Sequence, residues 1–375
     1  MNNIKLEVVN SLSGIHSEDW NSLTNGDPLV SHEFLSAIEK TGNIGGNTGW
    51  EPMHLVARQE DSLCGAIALY LKSHSYGEYI FDWAWADAYH RSGLEYYPKL
   101  LSAIPFTPAT GPRIFAKNEL IKKTLARSVL AFAKDNRLSS FHCLYPQNED
   151  LDIWREENCL VRKTIQFHWT NKGYETFDDF LNNMRSAKRK KIRQERKRVK
   201  DNGVEFSALL GDEANDDDWR FFYDCYEHTY LIRGSTPYLN FEFFSEIRKT
   251  LGNSILLIIA RQSGHRIATA LNLIGKDTIW GRYWGSKIYI PSLHFETCYY
   301  QTIEYAIKHN IKTFEGGAQG EHKLARGLEP VETQSAHWLA HPQFADAIKK
   351  FLDREKIAIT EYNEELNHRA PFKPA

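Results

Sequence analysis

The stretch Ile255-Leu-Leu-Ile-Ile-Ala-Arg-Gln-Ser-Gly-His-Arg-Ile-Ala-Thr-Ala-Leu-Asn-Leu-Ile274 decides the fold. Two apolar runs flank a Gly-containing turn, which reads as a β-hairpin. The chain carries a second copy: Met53-His-Leu-Val-Ala-Arg, a turn at Gln59-Glu60-Asp61-Ser62, then Leu63-Cys-Gly-Ala-Ile-Ala-Leu-Tyr-Leu71. Ala57-Arg58-Gln59 and Ala260-Arg261-Gln262 occupy equivalent places in the two copies. Each hairpin lies beyond a helical segment with an aromatic stripe, near Trp20 to Ile38 in the first and Trp219 to Tyr230 in the second. The chain therefore reads as two related α/β domains, each a mixed central sheet flanked by helices. The expected division is 1–160 and 161–345, with 346–375 as a helical tail.

A length of 375 residues exceeds the usual single-domain range and agrees with that division. A hydrophobic content of 42% with 25% charged residues is globular. The net charge of -2 excludes general adhesion to nucleic acid, so any polyanion site must be a local patch. Cys64, Cys143, Cys159, Cys225 and Cys298 form no C-x-x-C pair, which argues against a zinc ribbon or disulfide framework. The start, Met1-Asn-Asn-Ile-Lys5, has no apolar h-region, and the longest apolar runs, Ala66 to Leu71 and Ile255 to Ala260, are too short to span a bilayer. The expectation is a cytoplasmic protein with no transmembrane segment.

The second half continues with a strand at Thr278-Ile-Trp-Gly-Arg-Tyr-Trp284. A helix over 292–309 follows, with Phe295, Tyr299, Ile303 and Ala306 on one face, and then a strand ending at Phe314. The next residues, Glu315-Gly-Gly-Ala-Gln-Gly-Glu-His-Lys-Leu-Ala-Arg-Gly327, interleave glycines with polar side chains. Glycine lets backbone N–H groups approach a ligand closely. Gly316, Gly317 and Gln319 are therefore candidate binding positions, with Glu321, His322, Lys323 and Arg326 supplying a base, a donor and two cations. A solvent loop with ordinary turn glycines is the competing account.

Ten of the sixteen residues from Arg185 to Lys200 are Lys or Arg, opposed only by Glu195. With no Gly or Pro before Gly203, the segment 177–202 is expected to be one basic helix, its Asp178 and Asp179 near the start as the macrodipole favours. The ladder Arg189, Arg193, Lys197 repels itself, and a polyanion would relieve it. Arg189, Lys190, Arg193 and Lys197 are thus candidate substrate contacts, against the alternative of a solvated basic face.

The motif Arg189-Lys-Lys-Ile-Arg-Gln-Glu-Arg-Lys197 followed by Gly203-Val204 resembles the basic helix of the FemAB-like aminoacyltransferases. Tyr283-Trp284-Gly285, Ile303-Glu304-Tyr305-Ala306, Phe314-Glu315-Gly316 and Lys323 extend the likeness, as do the blocks Phe81 to Tyr89 and Pro105 to Arg113. The resemblance, over roughly residues 50–340, implies two GNAT-like (acyl-CoA N-acyltransferase) domains and a peptidoglycan-biosynthesis role. It implies acyl or aminoacyl transfer to an amine, with a cell-wall precursor or peptide as acceptor and tRNA as a partner. No permanently bound cofactor is implied; the donor, aminoacyl-tRNA or acyl-CoA, is a cosubstrate. The chain departs from the family at Gln194-Glu195. It also lacks glycine throughout Ser286 to His294, where acetyl-CoA-dependent relatives carry a pyrophosphate loop, so aminoacyl-tRNA is the favoured donor.

Acyl transfer to an amine needs a proton acceptor, an oxyanion stabiliser and a proton for the leaving group. Lys323 is the expected cation, with Glu321 and His322 as acid/base groups and Glu296 or Glu315 as substitutes. Arg282 and Trp284 are candidate ligand contacts. Asp82, Trp83, Trp85 and Asp87 read as a strand-borne acceptor pocket. Thr110 and Arg113 read as part of an anion-binding turn. No metal site is expected, since no H-E-x-x-H or cysteine partner accompanies His294 or His322. The competing classes are a non-catalytic RNA-binding protein and a peptide- or glycan-binding module of the same fold.

Overall fold

The computed structural model describes residues 4–318 and 320–373. The chain divides into two compact units, Met1–Thr164 with Glu332–Glu361 and Ile165–Val331 with Tyr362–Ala375. The second crossing differs from the expected division. The expectation places 332–345 in the second domain and 346–361 in a tail, whereas Glu332–Glu361 groups with unit 1.

Unit 1 begins with β1 (Ile4–Val9), α1 (Ser17–Asn21), α2 (His32–Lys40) and β2 (Trp50–Pro52). The hairpin β3 (His54–Gln59) and β4 (Ser62–Ile67) is followed by β5 (Tyr70–Lys72), α3 (Trp83–Arg91) and β6 (Lys99–Ser102). Then come β7 (Phe115–Ala116), α4 (Glu119–Asp135), β8 (Ser140–Leu144) and α5 (Asn148–Glu156). β9 (Leu160–Thr170) carries the chain into unit 2, with α6 (Phe177–Asn182), α7 (Ser186–Asp201), β10 (Val204–Leu210), α8 (Asp216–Ile232) and α9 (Phe241–Leu251). β11 (Ile255–Gln262), β12 (His265–Ile274) and β13 (Thr278–Ser286) lead to a helix made of α10 (Leu293–Phe295), a π turn (Glu296–Tyr300) and α11 (Gln301–Lys308). After β14 (Thr313–Glu315), β15 (Glu329–Leu339) returns to unit 1, and α12 (Pro342–His368) ends in unit 2.

The two hairpins are equivalent in detail. β1 pairs antiparallel with β3 from Ile4↔Gln59, as β10 pairs with β11 from Val204↔Gln262. Both hairpins turn on two positive-φ residues, Glu60-Asp61 and Ser263-Gly264, the signature of a type I′ turn. Each also carries a register shift at the same place, between Ala57 and Arg58 and between Ala260 and Arg261. A bulge re-aims a strand at a fixed cost, so its repetition at the Ala-Arg-Gln triplet supports a true structural repeat.

In unit 1, β1-β3-β4-β7 form an antiparallel sheet, and β8 pairs parallel with β6 and antiparallel with β15. α4, capped by Asn118, buries Ile121, Leu125, Ala126, Val129 and Ala133, the apolar face of an amphipathic helix. In unit 2, β10-β11-β12-β13-β14-β9 run antiparallel except for the parallel pair β13–β14. Ile255 to Ala260 is buried along its whole length, which a strand covered on both faces requires.

Three expected elements differ. The run Leu63 to Leu71 is split, because the chain leaves β3 after Ile67 and Leu69 N–H donates to the His54 ring while β5 pairs with β2. Residues 83–91 are helical, not extended. The alternation Trp-Ala-Trp-Ala-Asp-Ala imitates a strand, but alanine favours helix, and Trp85 and Tyr89 meet the core at i, i+4 spacing. The basic segment is two helices: Met184 pairs with Phe372 in a β-bridge and Arg185 N–H donates to the Pro371 carbonyl, which interrupts the helical ladder. α6 is started by a Thr176/Asp179 capping box at its N-terminus.

α8 lies so close to β13 that a Cβ on Gly285 would sit 2.2 Å from the Cys225 carbonyl oxygen. Gly285→Ala should therefore destabilise the protein by about 3 kcal/mol or more, the scale of overpacking against immovable backbone. Urea denaturation checks this, and an unchanged midpoint would contradict the close packing.

Candidate active site

β13 and β14 are bonded over only three residue pairs, Thr278↔Thr313, Ile279↔Phe314 and Trp280↔Glu315. Beyond Trp280 the strands part: β13 runs on beside β12, while the chain after Glu315 turns away at Gly316-Gly317. Gly316 is required by a close approach, since a Cβ there would lie 2.6 Å from Leu328 and 3.3 Å from the Lys323 stem. The parted strands leave a cavity of about 110 Å³ whose wall includes Arg282, Trp284, His294, Cys298, Tyr299 and Gly316. In the β12–β13 register Leu271 faces Tyr283 and Asn272 faces Gly281, so Arg282 is the extra residue of a bulge. Bulges recur beside active sites because they re-aim a side chain.

The helix opposite the glycine turn supplies His294, Cys298 and Tyr299. Its π turn, closed by Gln301 N–H to the Glu296 carbonyl, sends consecutive tyrosines to different partners. Tyr299 OH lies 3.0 Å from His322 Nε2, and Tyr300 OH donates to the Glu195 carboxylate. π turns of this kind are frequent at functional sites.

Lys323 sits in a short 3-10 helix, Glu321–Arg326, packed behind Gly316 and only 3% exposed. Its Nζ donates to the Gly317 carbonyl at 2.9 Å. Burial draws its pKa down from the ordinary lysine value to about 8. His294 is lowered to about 4 by burial and by the neighbouring His322, Arg326 and Lys323, so it is neutral at neutral pH. His168 is lowered to about 4 by burial and then by Lys323.

The other expected site residues have varied places. Glu321 is exposed, accepting from Tyr362 OH and the Arg369 guanidinium, which hold its carboxyl below the usual range. His322 borders Tyr299, its pKa lowered by burial and by Arg326 and Lys323. Glu296 is buried against Arg196 at 3.0 Å and Gln301 at 2.8 Å, and burial nevertheless raises its carboxyl. Glu315 is buried at the end of β14, 4.0 Å from His168. Arg326 is not a ligand-facing cation. It is 4% exposed, donates to Glu195 at 2.7 Å and to the His322 carbonyl at 2.6 Å, and stacks on Phe295. Gln319 lies outside the described residues. On α7, Arg189 is half-buried while Lys190, Arg193 and Lys197 are exposed, Arg193 paired with Asp178 and Lys197 with Asp201.

The unit 1 candidates do not form one pocket. Asp82 is buried as a ligand of Lys99, Ser75 and Tyr96, and Trp85 is 5% exposed in the core. Burial opposes the Asp82 charge, but Lys99 and His142 outweigh it and hold the carboxyl below its usual range. Trp83 and Asp87 are exposed. Thr110 is half-buried, and Arg113 is no free anion binder, because its guanidinium donates to the carbonyls of Leu144, Pro112 and Ala109. Among the described residues, no group of three or more His, Cys, Asp or Glu side chains is placed to hold a metal ion, and no helix is long and apolar enough to cross a membrane. His294, Tyr299 and Cys298 were not read from the sequence as site residues. Tyr299 was visible only as one member of a packing stripe.

Two α/β units of this kind, each led by a hairpin with a bulge at Ala-Arg-Gln, are of the GNAT type. The chain belongs to the FemAB-like family, described as peptidoglycan biosynthesis/recognition, matched over residues 11–374. Solved structures share the fold at low identity. FemX is 12% identical with a TM-score of 0.53, covering 92% of this chain and 100% of its own. L-PGS from Bacillus licheniformis is 9% identical with a TM-score of 0.56, covering 92% and 99%. The C-terminal domain of a provisionally named lysylphosphatidylglycerol synthetase from Agrobacterium fabrum is 10% identical with a TM-score of 0.55, covering 88% and 94%. No curated protein matches the chain at a significant level.

Lys323→Met should change the pH dependence of stability. With a folded pKa of about 8 against an ordinary 10.5, the folded wild type holds fewer protons than the unfolded chain between those values. Wild-type stability therefore rises with pH across that window, and the Met variant lacks the rise. Denaturation midpoints at pH 7.5 and 10 measure the difference, and parallel slopes for the two proteins would place the lysine in water.

Proposed function

We propose that the chain is a cytoplasmic transferase that moves an acyl or aminoacyl group onto an amine, with aminoacyl-tRNA as donor and a peptidoglycan precursor as acceptor. The observation that carries this reading is the buried Lys323 ammonium, packed behind Gly316, which itself lines the cavity left where β13 and β14 part. The family supports a peptidoglycan-related acceptor. Two of the fold relatives carry names that fit it, FemX and lysylphosphatidylglycerol synthetase, the second denoting lysyl transfer.

In the proposed step the acceptor amine attacks the donor ester carbonyl and passes a proton to the cavity wall, where neutral His294 is an available acceptor. The carbonyl oxygen becomes an oxyanion, which Lys323 stabilises. The ester C–O bond then breaks, the departing ribose hydroxyl takes up a proton, and an amide remains. A stabiliser in a water-poor site needs no reorganisation at the moment of reaction, which gives one buried ammonium a large effect.

The donor assignment rests on the rim of the site. A pyrophosphate is best held by open backbone amides at a helix N-terminus. Here the turn into the helix is made by side-chain-bearing residues, Ser292 itself standing at φ 74, and the first amide, Leu293 N–H, is bonded to the Ile290 carbonyl. Trp284, Ile288 and Tyr289 line the larger outer cavity of about 440 Å³ at this rim. The ten cations of 185–200 favour a large polyanion instead.

Lys323→Met should lower transfer activity by a factor on the order of 100 or more while leaving the fold intact. Wild-type activity should fall as pH rises through about 8, where the ammonium is lost. A fully active variant would remove Lys323 from the mechanism.

For the donor, filter binding should retain charged tRNA more tightly than calorimetry detects acetyl-CoA, with affinity falling steeply between low and physiological salt. Replacing Lys190, Arg193 and Lys197 by Gln should weaken tRNA binding and flatten that salt slope. Stoichiometric acetyl-CoA binding without tRNA retention would reverse the donor and leave acyl transfer standing.

A further inference from the structure

Unit 1 places β5, α3 and β6 between β4 and β7, where unit 2 passes from β12 to β13 through a short turn. This insertion presents three large aromatic rings to solvent: Tyr76 is 57% exposed, Phe81 45% and Trp83 40%. They touch one another. Phe81 and Trp83 lie nearly parallel, 18° apart with centroids at 6.2 Å, and Tyr76 stands at 63° to Trp83 with centroids at 5.0 Å. Singly exposed aromatics need no explanation, but a contiguous aromatic face does.

The backbone beneath the rings is fixed by buried charge. Lys99, fully buried, donates to Ser75 at 2.8 Å, Glu78 at 2.8 Å and Asp82 at 2.5 Å, which pins the loop 75–82 at three points. The Tyr76 carbonyl accepts from Trp50 Nε1 and Lys72 Nζ, and the Phe81 carbonyl accepts from Arg162. Hydrophobic collapse alone would turn such rings inward; here a rigid frame holds them out. A rigid aromatic surface binds with little ordering cost.

The rim identifies the ligand. One helical turn beyond Trp83, Asp87 and Arg91 form an exposed pair at 2.9 Å, offering a carboxylate acceptor and a guanidinium donor with no net charge. Glu95, four residues past the end of α3, adds an exposed negative charge. A phosphate polymer or an anionic bilayer would need cations at this place. A pyranose matches both parts, since its flat C–H face stacks on an aromatic ring while its edge presents vicinal hydroxyls to paired donors and acceptors.

We propose that Tyr76, Phe81 and Trp83, with Asp87 and Arg91 on the adjoining helix, form a binding platform for a neutral glycan chain. The platform is independent of the transfer reaction assigned to unit 2: a chain that transfers nothing would still bind glycan here.

The test uses the full chain in calorimetry with the N-acetylglucosamine tetramer and in co-sedimentation with purified peptidoglycan. Saturable binding that survives raised salt is expected. Trp83→Ala and Tyr76→Ala should each weaken it at least about tenfold, the scale of a lost stacking partner. Both side chains are exposed, so melting temperatures should move by no more than about 2 °C. Tyr76 lies on a different backbone segment from Trp83, so one variant still reads the surface if the other is destabilised. Absence of tetramer and peptidoglycan binding, or wild-type affinity in both variants, overturns the proposal. So does Trp83-dependent binding of a proline-rich peptide or anionic vesicles where the glycan fails to bind.

Discussion

The buried pair between Glu195 and Arg326 is the constraint on which the unit 2 site depends. Glu195 comes from the basic helix α7, Arg326 from the turn that carries Lys323, and Tyr300 from the π-turned helix binds the same carboxylate. Phe295 lies under the guanidinium at 3.3 Å. Three elements that the chain separates are thus registered at one point. A buried ion pair of this kind contributes little net stability compared with an apolar replacement, but removing one partner strands a charge and costs roughly 3–5 kcal/mol. Its contribution here is position: it sets the depth at which Lys323 lies behind Gly316, and with it the burial that lowers the lysine pKa.

The repeat shows how one architecture came to hold two different interiors. Both units keep the hairpin, the positive-φ turn and the bulge at Ala-Arg-Gln. In unit 2 the strand after the helix, β14, pairs briefly with β13 and then leaves it, which opens the cavity. In unit 1 the corresponding strand, β8, takes β6 from the insertion as its parallel neighbour. Lys99, Asp82, Tyr96 and His142 then fill the space beside it with a connected polar network. That network is satisfied mainly by its own members, so it reads as a structural frame whose outer surface carries the exposed rings.

Much of the architecture was legible because it rests on local pattern. The hairpins, the aromatic-striped helices, the helix over 292–309 and the glycine turn after β14 each follow from periodicity or turn chemistry within a short window. Lys323 stands in a polar loop where packing gives no cause for a lysine, which is why a linear reading singles it out as a candidate. The errors were also local. Trp-Ala-Trp-Ala-Asp-Ala satisfies a period of two, yet its alanines and the Trp85–Tyr89 contact stabilise a helix. The basic run contains no helix breaker, and only the distant Pro371 and Phe372 interrupt it.

What the sequence by itself determined is the repeated α/β pattern and the family, since these depend on residue order and short-range spacing. The tertiary structure decided which charged groups face the cavity and which are consumed in holding it. Arg326, Arg113 and Asp82 look like ligand contacts and Glu296 like an acid/base group in a linear reading, but each is buried against a partner far along the chain. Conversely, His294 and Tyr299 gain their place only when the π-turned helix meets the gap between β13 and β14. The physical reason is that a charge's role is set by its solvation and partners, and both are properties of long-range packing that no local window of sequence contains.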